Sequence, residues 1–126
     1  MFFKPKAKKQ LEKILVNKYK YQTNKPSSIL KKEDENNKYE VCFYRWFSTL
    51  RVSLHYGIDE DWHDIICETF DKWSPKLDNR LEFVILYDDG VEFELKEDIN
   101  NVNADYIIYL IDKITDKFNE IIYNLE

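Results

Sequence analysis

LEFVILYDDGVEFEL, residues Leu81 to Leu95, consists of two alternating apolar runs around Asp88-Asp89-Gly90. Alternation at a period of two is the mark of a half-buried strand, and an Asp-Gly step between two such runs is a strong local hairpin signal. A two-residue loop at Asp88-Asp89 or at Asp89-Gly90 puts Val84 and Leu86 on one face with Val91, Phe93 and Leu95. The opposite face then carries Phe83, Ile85 and Tyr87 on the first strand, against Glu92, Glu94 and Lys96 on the second. On that register the first strand is central, and the second is an edge whose charges discourage further pairing.

Working outward, Trp62, Ile65, Ile66, Phe70 and Trp73 recur at helical spacing. Asp59 to Trp73 therefore reads as an amphipathic helix, capped by Asp59 or Asp61 and ended by Ser74-Pro75. Before it, Val41, Phe43 and Phe47 alternate with Cys42, Tyr44 and Trp46. Leu50, Val52, Leu54 and Tyr56 then alternate with Arg51, Ser53 and His55. These are two antiparallel strands joined near Arg45–Thr49, where no Gly or Asn marks the turn. After the hairpin, Ile107, Ile111, Ile114, Phe118, Ile121 and Leu125 return at alternate steps of four and three, so Asn103 to Leu125 is a long helix. That spacing suits packing across a sheet or a dimer seam, and a pattern this short favours packing within the chain.

At the other end, Ala7, Leu11, Ile14, Leu15 and Tyr19 form the apolar stripe of a first helix over Ala7–Tyr19. Gln22 to Lys38 is polar, contains Pro26, and reads as an exposed connection free to move. The order is α-β-β-α-β-β-α. The expectation is a single α+β domain over residues 1–126, with a four-stranded, mainly antiparallel sheet packed against helices.

Charge is divided sharply along the chain. Residues 1–38 hold 11 of the 19 Lys and Arg but 4 of the 24 Asp and Glu, a local net of +7. The remaining residues carry a net of −12, which brings the whole chain to −5. Gly57 and Gly90 are the only glycines and stand too far apart for a phosphate loop or a dinucleotide fingerprint. No apolar run has the length of a membrane span, and Lys4, Lys6, Lys8 and Lys9 follow the first residues with no apolar signal core behind them. Cys42 and Cys67 are too few for a disulfide framework, so a cytoplasmic setting is expected.

The densest polar cluster is His55, Asp59, Glu60, Asp61, His63 and Asp64, with Cys67 one helical turn beyond His63. His63 and Cys67 at i, i+4 offer two metal ligands, with His55 as a third, or a thiol–imidazole pair. Against both stand the ordinary preference of acids for a first helical turn and the apolar neighbours Ile65, Ile66 and Phe70. The expectation is therefore no enzyme, no metal and no cofactor.

What remains is an acidic, aromatic-rich surface suited to a basic protein partner. The residues expected to bind it are Asp59, Glu60, Asp61, Trp62, Asp64, Tyr87, Asp88, Asp89, Glu92 and Glu94. The expected role is that of an immunity-type inhibitor, which neutralises a basic toxin or effector acting on nucleic acid. A phage-encoded antagonist of a bacterial defence nuclease has the same appearance. The rival is a nucleic-acid-associated regulator using Lys4, Lys6, Lys8 and Lys9, with no membrane contact in either case.

Overall fold

The computed structural model describes residues 22–24, 29–33, 39–57, 60–85 and 90–126. Strands β1 (Gln22–Asn24), β2 (Ile29–Glu33), β3 (Tyr39–Trp46) and β4 (Thr49–Tyr56) are followed by helix α1 (Glu60–Leu77). Strands β5 (Leu81–Ile85) and β6 (Gly90–Leu95), a 3-10 turn (Ile99–Asn101) and helix α2 (Ala104–Leu125) complete the chain. The protein is an α+β fold. The four strands read from the sequence are β3 to β6, and the predicted first helix lies outside the described residues.

The strands form one antiparallel sheet in the order β1-β2-β3-β4-β6-β5. Two expectations change here. The polar stretch after Gln22 supplies β1 and β2 rather than a bare connection. β1 pairs with β2 and β2 with β3, ladders that need backbone groups rather than apolar side chains, which is why the pattern is faint.

The second change concerns the decisive hairpin. Ile85 pairs with Val91 and Phe83 with Phe93, whereas a loop at Asp88-Asp89 sets Ile85 opposite Glu92. This one-residue slip sends every side chain of β5 to the other face. Leu81 and Phe83 join Val91, Phe93 and Leu95, while Val84 shares a face with Glu92. The order also differs from expectation: β6 is internal, between β4 and β5, and β5 is the edge. Gly90 is not left-handed. It is needed because a Cβ there would collide with the Leu54 carbonyl oxygen across the ladder.

The core lies on the sheet face of Leu50, Val52, Leu54, Tyr56, Val91, Phe93 and Leu95. Helix α1 covers it with Ile66 and Phe70, and α2 with Ile107, Leu110, Ile111, Ile114 and Phe118. Phe70 sits edge-on to Phe93 at 4.9 Å between ring centres and tilts against Trp73. Asn103 caps α2 by accepting from the Tyr106 N–H at 2.8 Å. Helix α1 runs past the expected stop, with Pro75 inside its last turn. The Asp78 N–H donates to the Ser74 carbonyl beyond it, so that turn closes despite the missing donor.

The β3–β4 turn is Phe47-Ser48, and Phe47 is left-handed with φ 55°. A bulky residue is strained there by about 1–2 kcal/mol. The turn is held nonetheless by the Ile99 N–H, which donates to the Ser48 carbonyl at 2.8 Å. Phe47→Gly should therefore stabilise the fold by about 1 kcal/mol, after the entropy glycine adds to the unfolded chain. Chemical denaturation checks this, and a lower midpoint for the variant contradicts it.

Candidate functional site

Helix α1 turns one arc of its surface inward and the other to solvent. His63, Ile66, Phe70 and Ser74 are buried, and Trp62, Cys67 and Trp73 are half-buried at the margins. Glu60, Asp61, Asp64, Ile65, Glu68 and Asp71 are exposed and fall on the outer arc. Glu60 and Asp61 in the first turn have a structural cause, since the helix dipole and free amides favour anions there. Asp64, Glu68 and Asp71 lie beyond the reach of that effect. Ile65, expected on the core stripe, is 45% exposed at the margin of this arc, while His63 is buried.

Under this face Tyr56, His63 and Cys67 form a chain of hydrogen bonds. The Tyr56 hydroxyl and His63 Nδ1 are 2.9 Å apart, and Cys67 Sγ lies 3.4 Å from His63 Nε2. Strand β4 supplies the tyrosine, and one turn of α1 supplies the other two. The order nucleophile, imidazole, orienting group is that of an activated thiol. The electrostatics run the other way. Burial pushes the Cys67 thiol up from its ordinary value, and the nearby Asp64 carboxylate pushes it further. Burial likewise raises the Tyr56 phenol, so it stays protonated through the physiological range. A thiolate is the nucleophile, and this site holds Cys67 as a thiol. Its alkylation rate should inflect above about pH 8.5, the ordinary thiol value, whereas an inflection below pH 7 would indicate an activated cysteine.

His55 does not join this group. It alternates to the opposite sheet face from Tyr56, where its Nε2 lies 3.2 Å from Ser53 Oγ. Among the described residues no three His, Cys, Asp or Glu gather to hold a metal ion.

The expected partner-binding residues divide into three sets. Glu60, Asp61 and Asp64 are exposed together on α1, with Trp62 half-buried beside them. Asp59, Tyr87, Asp88 and Asp89 lie outside the described residues, as do Lys4, Lys6, Lys8 and Lys9 of the nucleic-acid alternative. Glu92 and Glu94 are a correction, being buried at 3% and 7% exposure on the internal strand β6. Arg51 Nη1 donates to Glu92 at 3.0 Å, and the Thr49 hydroxyl donates to Glu94 at 2.7 Å. Lys96 bridges Glu94 and Glu82 at 2.9 and 3.1 Å. Burial pushes the Glu94 carboxyl up, but Thr49, Lys96 and Arg51 together outweigh it and hold it below its ordinary value. These acids are structural charges with partners inside the fold. Glu68 and Asp71 belong to the outer arc of α1 and were missed, although their spacing from Asp64 places them on the same face.

A second polar cluster joins the end of α1 to β5 and α2. Arg80 donates to Asp78 through Nε at 3.1 Å and Nη2 at 2.9 Å, and its Nη1 reaches Glu97 at 3.2 Å. The Arg80 backbone N–H and the Tyr106 hydroxyl also donate to Asp78. It clamps the corner and offers no open site. Among the described residues no helix is long and apolar enough to cross a membrane. In comparisons with known proteins the chain matches no family model, no curated protein and no solved structure.

Proposed function

We propose that the protein binds a basic protein partner through the outer face of α1 and acts as an inhibitor of immunity type. The target is a toxin or effector that acts on nucleic acid. The observation that carries this reading is the exposed acidic arc of Glu60, Asp61, Asp64, Glu68 and Asp71, with Ile65 exposed at its margin. Three of these carboxylates lie beyond the first turn, where the helix dipole no longer explains them. Lys72 pairs with Glu68 at 3.1 Å on this face, and a mainly acidic arc with an apolar side chain at its margin suits an interface in which electrostatics speeds encounter and an apolar contact slows release.

A surface that attracts the phosphate-binding face of a nuclease repels the nucleic acid itself. Inhibition by coverage needs no turnover, which accords with a Cys67 held as a thiol. The test is co-production with a panel of basic nuclease toxins in cells those toxins kill. The wild type should protect, and Asp61→Lys with Asp64→Lys should not, at equal soluble level. Protection by the double variant would remove α1 from the interface.

A further inference from the structure

An open groove of about 290 Å³ lies where the second half of α1 meets the middle of α2. Its walls are Glu68, Thr69, Lys72, Trp73 and Lys76 of α1 and Lys117 of α2. Residues 39–126 contain 20 acidic and 8 basic side chains, and three of those eight converge here. Elsewhere Arg51, Arg80 and Lys96 are tied to carboxylates inside the fold. The groove lysines are held far less firmly. Lys72 meets Glu68 at 3.1 Å with both side chains mostly exposed, and such a pair contributes little. Lys117 is half-buried and meets the exposed Glu120 at 3.3 Å. Lys76 has no carboxylate partner among the described residues. The helix dipole accounts for a cation at Lys76 in the last turn of α1, but not for Lys72 or Lys117.

We propose that this groove binds a nucleotide, with its base against Trp73 and its phosphates among Lys72, Lys76 and Lys117. Trp73 is half-buried and tilts against Phe70 at 5.8 Å, so the core fixes its ring and a base can stack without rearrangement. The ammonium groups serve phosphate as point charges. Two groove residues have the opposite polarity. The Thr69 hydroxyl donates to the Ile65 carbonyl at 2.8 Å, which leaves its oxygen as an acceptor, and the Glu68 carboxylate is an acceptor too. A bare anion has no use for those acceptors, whereas the sugar hydroxyls and amino groups of a nucleotide do. The volume stands at the lower end of small-molecule sites, about 300–1,000 Å³, and suits one nucleotide rather than several. A strand leaving the groove across α1 meets the acidic outer arc, which repels a polyanion. The inference does not depend on the proposed partner, and its variants leave Asp61 and Asp64 untouched.

Titration of the full chain with ADP, followed by NMR, tests it. Saturable one-to-one binding with a Kd of about 1 mM or tighter is expected, with the Trp73 indole signal shifting and that of Trp62 still. Inorganic phosphate and adenosine should each bind at least about tenfold more weakly than ADP. Lys72→Gln with Lys76→Gln should weaken ADP by about tenfold or more through lost charge-assisted contacts, while Lys113→Gln, outside the groove, should leave it unchanged. Absence of ADP binding at several millimolar overturns the inference. So does inorganic phosphate that binds as tightly as ADP, or an affinity that the double variant leaves unchanged. A single-stranded oligonucleotide that binds at Trp73 more tightly than ADP would overturn the choice of a single nucleotide.

Discussion

Phe70→Ala should cost about 4 kcal/mol of stability, the largest loss expected from any single truncation in this fold. Phe70 is fully buried and is the point where α1 meets the sheet. Its ring stands edge-on to Phe93 at 4.9 Å, lies near-parallel to Phe83 at 6.4 Å and tilts against Trp73 at 5.8 Å. Truncation removes the transfer energy of the ring and leaves a cavity lined by three other aromatics. Those side chains cannot collapse into it, because β5 and β6 are fixed by their ladder. Small domains have about 5–15 kcal/mol in total, so the variant should be partly unfolded at 37 °C. Urea denaturation provides the measure, with Phe70→Leu as the control at roughly 1 kcal/mol. Equal midpoints for the two variants would mean that α1 does not pack as described.

Asp78→Ala should cost about 2–3 kcal/mol, because charged hydrogen bonds are the strong ones and several converge on this carboxylate. Arg80 donates through Nε, Nη2 and its backbone N–H, and the Tyr106 hydroxyl donates as well. Loss of Asp78 leaves the guanidinium partly exposed and releases α2 from the corner. The pH dependence distinguishes this from a packing defect. Hydrogen bonds from Arg80, then from Tyr106, hold the Asp78 carboxyl well below the usual carboxylate range against the opposing effect of burial. A carboxyl lowered by folding stabilises fully above its unfolded value, about 3.9, and loses that contribution as pH falls through the folded value. The gap between wild type and variant should be constant from about pH 5 to 8 and narrow below pH 4. Denaturation midpoints across that range test it. A gap that is as wide at pH 3 as at pH 7 would contradict the ionic origin.

Much of the fold was legible because it rests on periodicity. The stripe Ile107, Ile111, Ile114 and Phe118 becomes the buried face of α2, and Leu50, Val52 and Leu54 become the core face of β4. The hairpin was legible as a hairpin but not in register. Register depends on the loop between Ile85 and Gly90, and a shift of one residue inverts both faces. The pairing of β6 with β4 is what turns Glu92 and Glu94 from edge charges into buried ones, and alternation cannot reveal that Arg51 of β4 lies across from Glu94. The long-range partner lies 43 residues away in sequence and leaves no local mark.

The candidate site was half legible. Acids at the start of α1 are visible in sequence, while exposed Ile65 is not, because the helix rotates to bury His63 against Tyr56. Helix spacing alone does not fix that rotation; the tyrosine on the neighbouring strand does.

The most direct measurement of the proposed role is a titration of the cognate basic nuclease with this protein at low and high salt. Nuclease activity should fall to zero at an equimolar ratio. Asp61→Lys with Asp64→Lys should weaken the inhibition by about 100-fold or more, and added salt should slow association of the wild type far more than that of the variant. A nuclease that stays fully active in excess wild-type protein, or one inhibited equally by the charge-reversed variant, would contradict binding through the acidic face of α1.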